Sequence, residues 1–208
     1  MEIEKSNQKN LLKNALSLIG EVGHMNELLT DHHIYRMGAY SVEIAKSLGW
    51  KPENYQLLES AALLHDTGKI FIDSSILTKP DKLTDSEWRI VQKHTIKGYK
   101  ILNKINSPLF QLAAEVALNH HERWDGTGYP KKLKGEEIPI SARIVSIADV
   151  FDALITKRSY RKAWDFEEAK KYIIKKSETH FDPKLVEIFI SIFPEIKKIY
   201  SSFQNFNN

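Results

Sequence analysis

Cysteine is absent from the 208 residues, which excludes disulfide staples and thiolate metal ligands alike. Any metal site in this chain must therefore be built from imidazole, carboxylate and water. No run of 18 apolar residues occurs, so no membrane insertion is expected. The opening MEIEKSNQKN is too polar for a signal peptide. An excess of one charge is missing too: 30 Lys and Arg face 27 Asp and Glu, a net +3 with both signs interspersed. That pattern provides neither a basic arm for DNA or RNA nor an acidic tail. It is compatible with an anionic small molecule. Strand-like alternation persists nowhere, and no internal repeat is found. The expectation is a cytoplasmic protein, or a cytoplasmic fragment of something longer.

What is present reads as helix after helix. Apolar residues recur at helical spacing over 11–22 and over 31–50, the latter stopping at Gly49. Pro52 opens a helix that runs towards His65-Asp66. Thr84 and Glu87 suit a capping box for the helix containing Trp88, Ile90 and Val91. Pro108 suits the first position of LFQLAAEVALNHH. Residues 141–156 form another apolar-periodic helix, Asp165 and Glu168 suit a cap, and Asp182-Pro183 starts the last core helix. The fold class is all-α: a helical bundle, with 1–28 as a leader helix lacking ligand candidates, 29–195 as the functional domain, and 196–208 as a tail whose polar end frays.

One stretch does not read as packing. LNHHERWDGTGYP at 118–130 ends an apolar helix on two adjacent histidines and continues in a glycine-rich loop. Histidine is a mediocre helix former, and each glycine adds backbone entropy that folding must overcome. The same residue types recur near helix termini along the chain and, as Asp149, inside a helix. His33, His65-Asp66, His94, His120-His121 and Asp149 follow one another at intervals of about thirty residues, each long enough for an out-and-back helical excursion. Any one of these histidines alone reads as a packed or surface residue. Seven such groups returning to one locus suit two adjacent divalent ions, with imidazole favouring first-row metals and a carboxylate bridging them. Two ions roughly 3.5–4 Å apart suit hydrolysis of a phosphoester.

HDTGK at 65–69, HTIKG at 94–98, HHERWDGTGYP at 120–130 and ARIVSIADVFDAL at 142–154 resemble the motifs of the HD-GYP family. KRSYR at 157–161 and HFDPKLVEIF at 180–189 follow in matching order, so the likeness covers about residues 28–195. The resemblance implies an HD-domain helical bundle with a dinuclear metal centre, acting as a bacterial signalling phosphodiesterase on cyclic di-GMP. It implies that His33, His65, Asp66 and Asp149 ligate one ion, and that Asp66 bridges to a second held by His94, His120 and His121. Iron or manganese is the implied metal. Lys69 matches the lysine that neutralises or protonates the leaving oxygen, beside Asp66 in the catalytic pair. Gly128, Tyr129 and Pro130 match the name-giving loop, and Arg158 and Arg161 match residues that hold guanine or phosphate, tasks suited to the planar guanidinium. The product is pGpG, with onward cleavage to GMP left open. Association as a homodimer or with a partner signalling protein is compatible with this reading.

The chain also departs from that family. A third ion in some members uses a glutamate four residues before the first histidine, and Leu29 stands there. Asp152 is retained, but two ions are expected and a third is not. Ser159 replaces the usual proline beside Arg158. His32 is an alternative to His33, His24 and His180 read as structural or surface residues, Glu122 and Asp125 as loop-orienting groups, and Trp124 as a packing anchor. Competing functions keep the fold but change the substrate to another cyclic dinucleotide or a nucleotide, or make the domain a non-catalytic receptor.

Overall fold

A computed structural model describes residues 2–25, 32–157 and 162–204. Leu29, Arg158, Ser159 and Arg161 therefore lie outside the described residues. Among the described residues ten α-helices and two 3-10 turns occur and no strand, so the all-α expectation is met. They are α1 (Glu2–His24), α2 (His33–Ser47), α3 (Pro52–Ala62), the short α4 (Ser74–Leu77), α5 (Asp85–Leu102), α6 (Pro108–Asn119), α7 (Ile140–Ile155), α8 (Phe166–Lys175), α9 (Pro183–Ser191) and α10 (Phe193–Gln204). No described helix is long and apolar enough to cross a membrane.

Local chemistry starts and stops these helices much as the sequence suggests. Thr84 Oγ1 accepts from the Glu87 amide while Glu87 Oε2 accepts from the Thr84 amide at 2.7 Å, a complete capping box for α5. Asp165 and Glu168 build the same device for α8. Pro52, Pro108 and Pro183 occupy first-turn positions, where a missing N–H costs nothing. Gly49, at φ +79°, follows the end of α2 in the left-handed region that glycine tolerates.

Three boundaries differ from the sequence reading. The first helix spans Glu2–His24 rather than 11–22. The helix after Pro52 ends at Ala62, because the amides of Leu64 and His65 bond three residues back, to Ala61 and Ala62. His65 and Asp66 thus sit on tight turns beyond the helix. The chain also does not finish its core at the helix from Pro183: α10 follows, burying Phe193 and Ile196, and Ser201–Gln204 stay helical where fraying was expected.

The main core lies between α2, α3, α7, α8, α9 and α10. Met37, Tyr40 and Ile44 meet Ile144, Ile147 and Phe151, with Phe181 and Phe189 closing the far side. Burying each such large side chain is worth about 1.5–3 kcal/mol. A second cluster joins Leu16 of α1 to Ala61, Leu64, Ala113 and Ala117.

Candidate metal centre

Asp66 stands at the centre, 4% exposed. One carboxylate oxygen, Oδ2, lies 3.1 Å from His65 Nε2 and 2.6 Å from Lys69 Nζ. The other, Oδ1, lies 3.2 Å from His94 Nε2 and 3.6 Å from His120 Nε2. Asp149 joins from α7, with Oδ1 3.7 Å from His33 Nε2 and 4.0 Å from His65 Nε2. His121 stacks beside His120 with ring centres 4.0 Å apart, and lies 5.1 Å from His94. The structure therefore brings together all seven residues singled out from the sequence, supplied by α2, the HD turn, α5, the end of α6 and α7. His94 lies inside α5, not at its end as the sequence reading had it.

The imidazoles are oriented alike. His65 Nδ1 donates to the Ala62 carbonyl at 2.9 Å, His94 Nδ1 to Val91 at 2.7 Å, and His120 Nδ1 to Val116 and Ala117 at 3.1 Å. A carbonyl can only accept, so each Nδ1 carries a proton and each ring turns its Nε2 to the cluster. His65 Nε2, His94 Nε2, His120 Nε2 and Asp66 Oδ1 are all buried without a hydrogen-bond partner. Buried polar atoms left unpaired in this way are costly, and a cation among them would satisfy them. Carbonyl-fixed tautomers with converging Nε2 atoms are what imidazole ligands of a metal require. Two groups of ligand atoms, Asp66/His94/His120/His121 and His24/His33/His65, are each close enough to hold an ion.

Electrostatics agree with this arrangement. Burial works against ionisation of Asp66, yet Lys69 and His65 outweigh it and hold the carboxyl well below the usual carboxylate range. Asp149 is held down likewise, burial being overcome by His65 and His33. His121 is pushed well below the ordinary imidazole value by burial and by its neighbours His120 and His94, and so offers a neutral ring at pH 7.

Several groups around the centre have distinct tasks. Asp152 is fully buried and accepts from Arg36 Nε at 2.7 Å, Arg36 Nη2 at 2.8 Å and His33 Nδ1 at 2.7 Å. Its carboxylate fixes the tautomer of His33. Glu122 accepts from the amides of Lys131 at 2.6 Å and Leu133 at 3.1 Å, and Asp125 from Thr127, so both hold the loop together. A Cβ on Gly128 would fall 2.4 Å from the Arg123 amide nitrogen, so only glycine lets the loop fold back on itself there. That fold-back sets Tyr129, followed by a cis peptide to Pro130, against His121 at 4.8 Å between ring centres. Trp88 stands edge-on to Tyr129 at 6.0 Å and is 46% exposed, an aromatic at the rim that sequence reading did not single out. His32 takes the cap of α2 and turns towards Tyr35 and Phe203, away from the cluster. His180 stacks on Phe181. His24, expected as a structural or surface residue, is buried beside Asp66.

Comparison with known proteins matches this arrangement. The HD domain family model matches residues 8–185. A Vibrio cholerae protein named 3'3'-cGAMP-specific phosphodiesterase 2 is 44% identical over 83% of this chain and 33% of its own length. A Thermotoga maritima cyclic di-GMP phosphodiesterase is 41% identical over 92% of this chain and 52% of its own. The chain thus spans about a third to a half of the length of these curated relatives. Among solved structures, the Bdellovibrio bacteriovorus HDG"Y"P protein Bd1817 superimposes with a TM-score of 0.62 at 25% identity, covering 78% of this chain and 52% of that one. Family match, ordered motifs and a buried His/Asp cluster coincide, and the chain belongs to the HD domain family, in its HD-GYP group.

Proposed function

We propose that this chain is a metal-dependent phosphodiesterase that opens cyclic di-GMP to linear pGpG in the cytoplasm, with residues 29–195 supplying the seven ligands singled out from the sequence. The observation that carries the reading is the Asp66 carboxylate, whose two oxygens face His65 Nε2 at 3.1 Å and His94 Nε2 at 3.2 Å in a buried cluster of acceptors. His33, His65, Asp66 and Asp149 would hold one ion. His94, His120 and His121 would hold the second, with Asp66 shared. Imidazole and carboxylate donors without sulfur suit first-row divalent ions, and the family resemblance points among them to iron or manganese. Two ions rather than three follow from Leu29 in place of a carboxylate and from Asp152 being engaged by Arg36 and His33.

Divalent ions held there supply Lewis-acid activation of a phosphodiester and of the water that attacks it. The chain's own residues do the rest. Asp66 and Asp149 stay ionised, His121 stays neutral, and Lys69 Nζ, held 2.6 Å from Asp66, is placed to give a proton to the leaving oxygen. Gly128, Tyr129 and Pro130 border the second ion's ligands on the side where substrate would enter. Arg158 and Arg161 are assigned to guanine or phosphate by their place in the motif.

The test is turnover of cyclic di-GMP and of 3'3'-cGAMP by protein loaded with Mn(II) or, anaerobically, Fe(II), with Asp66→Ala as control. Linear pGpG from the unsubstituted protein alone is the expected result. Preference for 3'3'-cGAMP would move the chain to the substrate of its Vibrio relative. Tight binding of either nucleotide without cleavage would make it a receptor.

A further inference from the structure

His24 is the last residue of α1 and belongs to no HD-GYP motif identified above, yet it is 7% exposed and stands in the site. Its Nε2 lies 3.3 Å from Asp66 Oδ2, the same oxygen that faces His65. Its ring centre is 5.4 Å from His33 and 5.2 Å from His65. Ligand nitrogens of His24, His33 and His65 all lie within 4.8 Å of one another. Atoms sharing one ion at bonds of about 2.1 Å lie about 3–4.2 Å apart, a spread that small inward shifts of these side chains reach.

The orientation of the ring matches that of the histidines already assigned. His24 Nδ1 donates to the Gly20 carbonyl at 2.9 Å, one turn back in its own helix. Nδ1 being taken by the carbonyl, Nε2 is the atom turned to the carboxylate, as in His65, His94 and His120. The helix is shaped to deliver it. A Cβ on Gly20 would fall 2.5 Å from the Leu63 carbonyl oxygen, and one on Gly23 would fall 3.0 Å from the Asp66 backbone carbonyl oxygen and 3.1 Å from Thr67 Cα. Glycine at position 20, and a tight fit at Gly23, let α1 lie directly on the turn that carries His65 and Asp66. Leu16, 2% exposed, anchors the same face one turn earlier against Ala61 and Leu64. A helix that merely led into the domain would need neither the glycines nor a buried histidine at its end.

We propose that His24 is a further imidazole ligand of the ion held by His33, His65 and Asp149, so that docking of α1 and filling of that site are one coupled equilibrium. This rests on the metal-centre reading given above. It makes the N-terminal helix part of the first coordination sphere, and any displacement of α1 would loosen one ion while leaving the His94, His120 and His121 side intact.

The experiment compares Mn(II) bound per chain, by equilibrium dialysis at fixed free metal, for the unsubstituted protein, His24→Ala, His24→Gln and His65→Ala. Glutamine offers a polar group able to hydrogen-bond to Asp66 but ligates poorly. The expected result is two ions for the unsubstituted protein, with both His24 variants weakened at least tenfold for one ion and unchanged for the other. Wild-type affinity in His24→Gln would overturn the proposal and reduce His24 to a residue that positions Asp66. Unchanged binding in both His24 variants, with loss in His65→Ala, would overturn it and leave the metal centre standing. No stoichiometric binding by the unsubstituted protein would overturn both. A measurement that needs no variant is amide hydrogen exchange of the intact chain: Mn(II) should slow exchange at residues 16–25 at least tenfold, and equal rates with and without metal would overturn the coupling.

Discussion

Asp152→Asn is the substitution that most sharply separates this account from one in which Asp152 waits for an ion. The carboxylate is fully buried and takes three hydrogen bonds of 2.7–2.8 Å, two from Arg36 and one from His33, with Thr156 Oγ1 adding a fourth at 3.2 Å. Burial disfavours its charge, but the hydrogen bonds from Arg36 and His33 keep it ionised below the ordinary carboxylate value. Asparagine is nearly isosteric, yet it turns an NH2 donor towards donors and leaves the buried guanidinium without this carboxylate. Breaking one side of such a buried pair costs about 3–5 kcal/mol. For a chain of this size each kcal/mol shifts Tm by about 2–4 °C, so a fall of roughly 6–20 °C is expected. His33 also loses the acceptor that fixes its tautomer, and metal affinity should drop about 10- to 100-fold. Thermal unfolding of the metal-free protein and Mn(II) titration of the folded protein read the two effects separately. A Tm within about 2 °C of the parent, together with unchanged metal affinity, would refute the assignment.

Two further outcomes are expected. Arg158→Ala should leave metal content unchanged and raise KM or lower kcat/KM by about ten- to a hundredfold, the equivalent of about 1.5–3 kcal/mol for one charge-assisted hydrogen bond; steady-state kinetics identical to the parent would remove Arg158 from the substrate. His180 is pushed down to about 4 by burial and by Arg123, so the unfolded chain takes up this proton first, near pH 6.5. Its contribution to stability is complete above that pH and is lost as pH falls towards 4, by at most about 3 kcal/mol. Urea unfolding at pH 7 and pH 4.5 should show a smaller loss for His180→Gln than for the parent, and equal losses would contradict the assignment.

The helices were legible because their signals are local. Capping boxes at Thr84 and Asp165, and prolines at 52, 108 and 183, act within a turn of where they stand. The seven-residue cluster was legible for a different reason: histidines and aspartates at repeated wide intervals have no packing explanation together. What sequence reading missed is non-local. His94 lies in mid-helix because α5 runs on to Leu102 for contacts with α6. The pairing of Asp152 with Arg36 joins α7 to α2 across more than a hundred residues, and neither partner signals the other in sequence. His24 was set aside as an isolated histidine on a leader. The glycines one and four residues before it were the available sign that α1 comes close to something.

The central claim, a two-ion centre bridged by Asp66, is tested most directly by anomalous diffraction at the metal edge from crystals of the Mn- or Fe-loaded protein. Two peaks are expected per chain, both touching Asp66, one bounded by His33, His65 and Asp149 and the other by His94, His120 and His121. Three fully occupied peaks, a single peak, or peaks remote from Asp66 would contradict it.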